Sequence, residues 1–235
     1  MVRRWSAARL VTAAVLGAWA TLFWFVWLSG RTTLYLSGRT AWLVPLGAAL
    51  ATIAAVGRLL TARTNLDEQL DARTAWRAAI LVLPVLVVLV LPPASLGAYA
   101  AGRRSSFGAA GLVTPDDFEH GPLTMIHIAA AETSIEDLGR LRRRAGESVT
   151  LEGFVTRDEG MPADELLLTR FVISCCVADA TTATVRVVGV PPGVYADGAW
   201  ITVTGRVYPL GDRIIVTASS TSPIAVPADP YLGAV

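Results

Sequence analysis

Two adjacent cysteines, Cys175 and Cys176, are the residues of this chain best suited to chemistry, and they are its only cysteines. Thiolates bind soft metal ions such as zinc and copper. The short run that follows ends at Asp179, so the sequence predicts a metal site made of Cys175, Cys176 and Asp179, with His127 as a further candidate ligand. Because the chain has only two cysteines and two histidines, a four-ligand zinc site needs carboxylates or a partner protein.

Three other roles for the cysteine pair stay open. Alternation along a strand places Cys175 in the core as filler and Cys176 at the surface beside Arg170. Cys176 would then be the more reactive thiol, because a neighbouring guanidinium favours the thiolate. In an oxidising compartment the same thiol could bond another chain. A redox pair is less favoured, because the C-x-x-C spacing is absent.

The sequence contains no arrangement that supports catalysis. It has no Ser-His-Asp order, no glycine-rich phosphate loop and no pair of acidic residues at a spacing that would suit acid–base work. We therefore expect no enzymatic activity.

Alternating apolar and polar residues after Glu147 predict five short strands separated by turns rich in Gly, Pro and Asp. Five short strands in so short a stretch predict a small all-β domain; an OB-like barrel fits best, and a small β-sandwich is the alternative. A short strand over residues 123–128 and a helix from Thr133 should precede it. The positions expected to face inward are Val149, Leu151, Gly153, Val155, Leu167, Phe171, Ile173, Cys175, Val177, Val185, Val187, Ile201, Val203, Val207, Ile214 and Val216.

Three apolar runs without charged residues, 10–30, 40–57 and 78–102, come before this domain and predict transmembrane helices over about residues 10–29, 40–60 and 78–101. A bilayer core of roughly 30 Å requires about 20 residues of helix, which each run supplies. Pro84, Pro92 and Pro93 should kink or thin the third span near its end. The predicted organisation is a transmembrane region over residues 1–102, a linker over 103–122 and an OB-like domain over 123–235.

The charges divide the chain in the same way. Residues 1–102 carry nine arginines and three acidic residues, a net +6, whereas residues 103–235 carry a net −5. The arginines near the span ends favour a cytoplasmic amino terminus and an extracytoplasmic carboxyl-terminal domain in the plasma membrane. The acidic domain argues against nucleic-acid binding. Because the uncharged runs contain no acidic or basic residue, the spans are expected to serve as an anchor or a partner surface rather than as a transport path.

Three segments of the carboxyl-terminal half resemble the YcgQ-like family of bacterial membrane proteins. They are residues 149–155 with a Gly-Phe-Val strand, residues 168–180 with Arg170 and the Cys-Cys-Val-Ala-Asp run, and residues 198–205 with Trp200. The resemblance implies membrane helices joined to one soluble domain, and a predicted permease subunit that works with a separate multi-span permease. It also implies an association with metal homeostasis, and a site formed by Arg170, Cys175, Cys176 and Asp179.

The expected function is an accessory subunit of a membrane permease, held in the lipid bilayer, whose exported domain handles a metal ion or a small ligand. Zinc is the candidate ion at Cys175, Cys176 and Asp179, and a small ligand would contact Arg170 and Asp179. The alternative is a membrane-anchored scaffold or binding module of the cell envelope with no role in transport.

Overall fold

The structure of the chain is a computed structural model that describes residues 4–64, 71–91, 94–106, 113–211 and 213–233. It divides into two units, Met1–Ala94 and Ser95–Val235. The division falls within the third predicted span, so the residues just before the predicted linker belong to the second unit.

Within the described part of the first unit, three helices are long and apolar enough to cross a membrane: α1 (Ala7–Leu28), α2 (Leu43–Leu60) and α3 (Ala72–Val90). Two-residue strands β1 (Arg4–Trp5) and β2 (Arg63–Thr64) pair antiparallel, and a short 3-10 helix (Arg31–Leu34) follows α1. The three membrane helices that the apolar runs predict are therefore present. Their small shared core contains Leu22, Val26, Val44 and Val85.

The third helix differs from its predicted span at both ends. It begins at Ala72, because the carboxylate of Asp71 accepts a hydrogen bond from the backbone N–H of Thr74 at 2.9 Å and caps the first turn. It ends at Val90; Leu91 is extended, the conformation that a residue before proline prefers. Pro92 and Pro93 lie outside the described residues. Residues Ala98–Ala101 form a separate short helix, α4, in the second unit.

Three further helices precede the sheet: α5 (Pro115–His120), α6 (Met125–Thr133) and α7 (Ile135–Arg143). Helix α5 lies in the predicted linker, of which residues 107–112 are outside the described part. The strand predicted over residues 123–128 is wrong, because residues 125–128 form the first turn of α6 and Thr124 is its N-cap. All residues from Met125 to Ala131 are buried, and such a run has no polar face that would separate a helix from a buried strand. The helix predicted from Thr133 is confirmed as α7, with Ser134 as its N-cap.

Within residues 113–211 and 213–233, six strands form one mixed sheet. They are β3 (Ser148–Thr156), β4 (Glu165–Ile173), β5 (Thr181–Val188), β6 (Trp200–Leu210), β7 (Arg213–Pro223) and β8 (Tyr231–Gly233). The order is β3-β6-β7-β5-β4-β8, and β3 also pairs with β4, so that five strands form a ring. Strand β7 runs parallel to β5 and β8 parallel to β4. The five predicted strands are confirmed, and β8 is an addition.

Strand β4 is buried on both faces. Leu166, Leu168 and Val172 belong to the main core together with the buried residues of the other ring strands and of α6. Phe171 and Ile173 belong to a separate aromatic cluster with Phe154, Trp200 and Tyr231. Phe171 and Ile173 are therefore buried as predicted, but in the aromatic cluster and not in the main core, and Leu167 is only partly buried. A strand with apolar residues on both faces does not define which face meets the main core.

Candidate metal centre

The cysteines lie in a turn that begins where β4 ends, at Ile173. A short 3-10 helix, Val177–Asp179, follows them, with Cys176 as its extended N-cap. Cys175 is exposed and Cys176 is partly buried. The expectation that Cys175 faces the core is wrong, because strand alternation stops two residues before it. We refer to residues 174–180 as the Cys turn.

Asp179 holds the Cys turn together through its carboxylate. Oδ1 accepts a hydrogen bond from the backbone N–H of Ser174 at 3.0 Å. Oδ2 accepts from the N–H of Cys175 at 2.8 Å and from that of Cys176 at 3.4 Å. An aspartate that accepts backbone N–H groups a few residues away is a common turn-forming device. The carboxylate therefore lies next to both cysteines.

The predicted ligands are brought together by this turn. The two Sγ atoms and a carboxylate oxygen of Asp179 lie within 4.8 Å of one another. Ligand atoms around a tetrahedral zinc ion are separated by roughly 3.3–3.8 Å, given Zn–S and Zn–O bonds of about 2.3 and 2.1 Å. The donor set suits zinc, and a modest contraction of the turn would bring the ligand atoms to zinc-binding distances.

The thiol of Cys175 is held in its protonated form. A hydrogen bond to the carboxylate of Asp179, and a second one to Cys176, raise the pKa of Cys175 to about 12. Burial opposes the ionisation of Asp179, but the hydrogen bonds from Cys175, Ser174 and Cys176 outweigh it, and its pKa is lowered. Without a metal ion, the exposed thiol is therefore a weak nucleophile, and a bound metal ion would have to displace its proton.

Arg170 does not form the expected contact with Cys176. Within the described residues, its guanidinium donates to the backbone carbonyls of Asp229 at 2.6 Å and Pro230 at 3.3 Å, and it lies 5.8 Å from the ring centroid of Trp200. Arg170 thus attaches the segment before β8 to the sheet, and burial lowers its pKa.

His127 also takes a structural role. It lies on α6, is 8% exposed, and its Nδ1 accepts the backbone N–H of Thr124 at 3.1 Å. Burial lowers the pKa of His127. The group of candidate ligands found in the described residues contains Cys175, Cys176 and Asp179 without this histidine.

One residue that sequence reasoning missed is Arg104. Its guanidinium donates to the carbonyls of Ala178 at 2.9 Å and Ala180 at 3.1 Å, on either side of Asp179. In the sequence, Arg104 is one of two arginines at the start of a predicted linker, and its partners lie more than 70 residues away. No local signal could have identified this contact.

Residues 138–232 match the family model of the DUF1980 C-terminal domain. The matched segment begins within α7 and ends within β8, so it contains the five-strand ring and the Cys turn, but neither α5 nor α6. No curated protein shows significant similarity to the chain. The match covers the part of the chain in which the candidate ligands lie.

Proposed function

We propose that this chain is a membrane-anchored accessory subunit of a multi-span membrane permease, and that its domain binds a metal ion, zinc in the first place, at Cys175, Cys176 and Asp179. The observation that carries the proposal is that these three side chains, which come from one short turn, have their ligand atoms within 4.8 Å of one another. Two thiolates and a carboxylate are a donor set that zinc accepts.

The site suits a metal ion that binds and is released, rather than one that stays bound to stabilise the fold. Structural zinc sites are closed by four protein ligands, whereas three ligands leave one position for water, a substrate or a donor from another protein. Cys175 is exposed, so a partner could reach the ion. A small ligand at Arg170 is less favoured, because its guanidinium is engaged by two backbone carbonyls.

We also propose that the strand ring is an OB-like barrel. Followed around the ring, the strands come in the order β3-β4-β5-β7-β6, and the parallel pairing of β5 with β7 joins the two antiparallel parts. This order supports a five-stranded Greek-key barrel. An OB-like barrel that carries a net −5 segment is a poor nucleic-acid binder, so the barrel would serve as a rigid support for the Cys turn.

The permease partnership is supported by the membrane helices. They have the length and hydropathy of membrane spans. Their arginines (Arg9, Arg58, Arg73 and Arg77) lie near the helix ends, and the uncharged runs between offer no acidic or basic side chain that could handle a cargo ion. The resemblance to YcgQ-like proteins supports the same role. The arginines near the span ends favour a cytoplasmic amino terminus and a domain outside the plasma membrane.

The metal site is tested by titrating zinc into the full chain in lipid nanodiscs under reducing conditions. We expect one zinc ion per chain, and binding weakened at least about tenfold in Cys176→Ser and in Asp179→Asn. Asp197→Asn is the matched control: it removes a carboxylate that pairs with Arg157 and should bind zinc like the wild type. Absence of binding at micromolar zinc would count against the metal site.

The partnership is tested separately, by purifying the tagged chain from native membranes. Co-purification of a multi-span membrane protein supports the accessory-subunit role, whereas a clean monomer contradicts it.

The second candidate function is a scaffold of the cell envelope with no transport role. One observation favours it: the hydrogen bonds of Asp179 complete the Cys turn without a metal ion. If the chain keeps its cellular function after the Cys176→Ser substitution, the result would support the scaffold role.

A further inference from the structure

The segment of residues 95–106 is attached to the same part of the domain as the Cys turn. The backbone N–H of Leu96 donates to the hydroxyl of Tyr231 at 3.0 Å, and Leu96 and Ala98 pack on the aromatic cluster. The N–H of Thr182 donates to the carbonyl of Ser105 at 3.1 Å, and Ser106 forms a parallel bridge with Thr182. These residues follow the third membrane helix in the chain, and we call them the exit segment.

Arg104 is the residue of the exit segment that holds the Cys turn itself. Its two hydrogen bonds, at 2.9 and 3.1 Å, go to the carbonyls of the residues immediately before and after Asp179. Ala180 is buried in the aromatic cluster, and Val177 packs against it. The backbone that carries the carboxylate is therefore fixed from both sides, by the guanidinium and by the cluster.

Metal binding should act on this arrangement. The ligand atoms lie within 4.8 Å of one another, and a tetrahedral zinc ion would hold them roughly 3.3–3.8 Å apart. The carboxylate of Asp179 also holds three backbone N–H groups of the turn. If the carboxylate approaches the thiols, either those bonds or the backbone of residues 178–180 must move, and Arg104 is bound to that backbone.

We infer that Arg104 couples zinc binding at the Cys turn to the exit segment, so that the metal ion regulates the part of the domain that leads to the third membrane helix. This inference rests on the proposed metal site. Coupling between two sites is reciprocal. A partner that holds the exit segment in its zinc-bound arrangement therefore raises the zinc affinity by the same factor as zinc raises the affinity for that partner.

The test is hydrogen exchange of the full chain in nanodiscs, measured by mass spectrometry with and without zinc. In the wild type, zinc should slow exchange of the exit-segment amides at least about fivefold. Arg104→Gln should lose this zinc-dependent difference and bind zinc about tenfold more weakly. Arg103→Gln is the matched control, because Arg103 stacks on Tyr99, 3.8 Å from its ring centroid; it should retain both properties.

The outcomes separate this inference from the metal site. If the wild type binds zinc but exchange of the exit segment does not change, the inference is overturned while the metal site stands. The same holds if Arg104→Gln keeps wild-type affinity and protection. If the wild type binds no zinc, the titration shows it before exchange is compared, and both proposals fail. Should Arg104→Gln misfold, Arg104→Lys, which keeps the charge on a shorter side chain that reaches the two carbonyls less well, should give an intermediate zinc-dependent difference.

Discussion

The Cys turn and the start of α6 are built by the same local motif and differ in their surroundings. In each, the side chain of the N-cap residue accepts the N–H of the third helical residue, and that residue's side chain accepts the N–H of the N-cap. The pairs are Cys176 with Asp179 and Thr124 with His127. In the first pair the carboxylate-bearing Asp179 is exposed, next to the exposed thiol of Cys175. In the second pair Thr124 is exposed, but its partner His127 is buried, with 8% of its surface exposed.

This comparison teaches that exposure, rather than residue type, decides which of the two motifs is available to a ligand. In the Cys turn, the carboxylate of Asp179 accepts three backbone N–H groups, and the side chain of Cys175 remains exposed to solvent. In α6, the ring of His127 packs edge-on against Phe118, with 5.0 Å between the ring centroids, and its buried Nε2 has no hydrogen-bond partner in the described part of the chain. One motif can be a site, while the other is a helix cap whose imidazole is buried.

The largest effect should appear in the reactivity of Cys175. Asp179→Asn removes the carboxylate that raises the pKa of this thiol to about 12, so the pKa should fall toward the ordinary value of about 8.5. Alkylation by iodoacetamide at pH 7.5 should become at least about tenfold faster, after allowance for the lower nucleophilicity of a less basic thiolate. The rate is read from the Cys175 peptide by mass spectrometry.

The control for this experiment is Asp197→Asn, which should leave the alkylation rate unchanged. Zinc must be removed by a chelator beforehand, because a bound ion would protect the same thiol. An equal rate in Asp179→Asn and the wild type would contradict the role of Asp179 and remove one half of the comparison.

The cap of α6, whose partner His127 is buried, should lose more stability than an exposed threonine pair when its hydroxyl is removed. Thr124→Val deletes the hydroxyl that caps α6 and lies 2.7 Å from Nδ1 of His127, and it should lower the free energy of unfolding by about 1–2 kcal/mol. Thr150→Val removes a hydroxyl that pairs with Thr204 on the exposed face of β3 and should cost less than about 0.5 kcal/mol. Chemical denaturation in nanodiscs gives both values; equal losses would contradict the difference in environment.

A pH series sharpens the same contrast. Burial lowers the pKa of His127 in the folded chain, whereas in the unfolded chain it is about 6.5. As the pH falls through this range, the unfolded chain binds more protons, so folding loses stability. His127 should therefore lower the unfolding temperature between pH 7.5 and 5.5. Burial raises the pKa of Glu132 to about 6, and its protonation in the folded chain partly offsets this loss. In His127→Gln the unfolding temperature should fall less than in the wild type. An unchanged slope in that variant would assign the pH dependence to other groups.

The sequence predicted these regions unequally, for physical reasons. The ring strands were predictable because polar and apolar residues alternate along them. Helix α6 was not, because residues Met125 to Ala131 are buried on all sides and their pattern has no period. The nearness of Cys175, Cys176 and Asp179 was predictable from their spacing, but the exposure of Cys175 was not, since it depends on β4 ending at Ile173.

The contacts of the two arginines near the site could not be predicted at all. Arg170 binds carbonyls about 60 residues along the chain, and Arg104 binds carbonyls more than 70 residues away. Strand alternation placed Arg170 and Cys176 on the same face and so predicted a role for Arg170 in the thiol chemistry. The fold assigns the contact with the Cys turn to Arg104 instead, because backbone carbonyls from distant turns and connecting segments decide where each guanidinium binds.

The smallest effect on stability should come from Cys176→Ser, and it separates cap from ligand most clearly. A serine hydroxyl can accept the backbone N–H of Asp179 as the Cys176 thiol does, and serine is among the best N-cap residues. The free energy of unfolding without metal should therefore change by less than about 0.5 kcal/mol, while zinc binding weakens at least about tenfold. A large loss of stability in the metal-free chain would show that Cys176 serves the fold, as His127 does, and the Cys turn would then no longer differ from the start of α6.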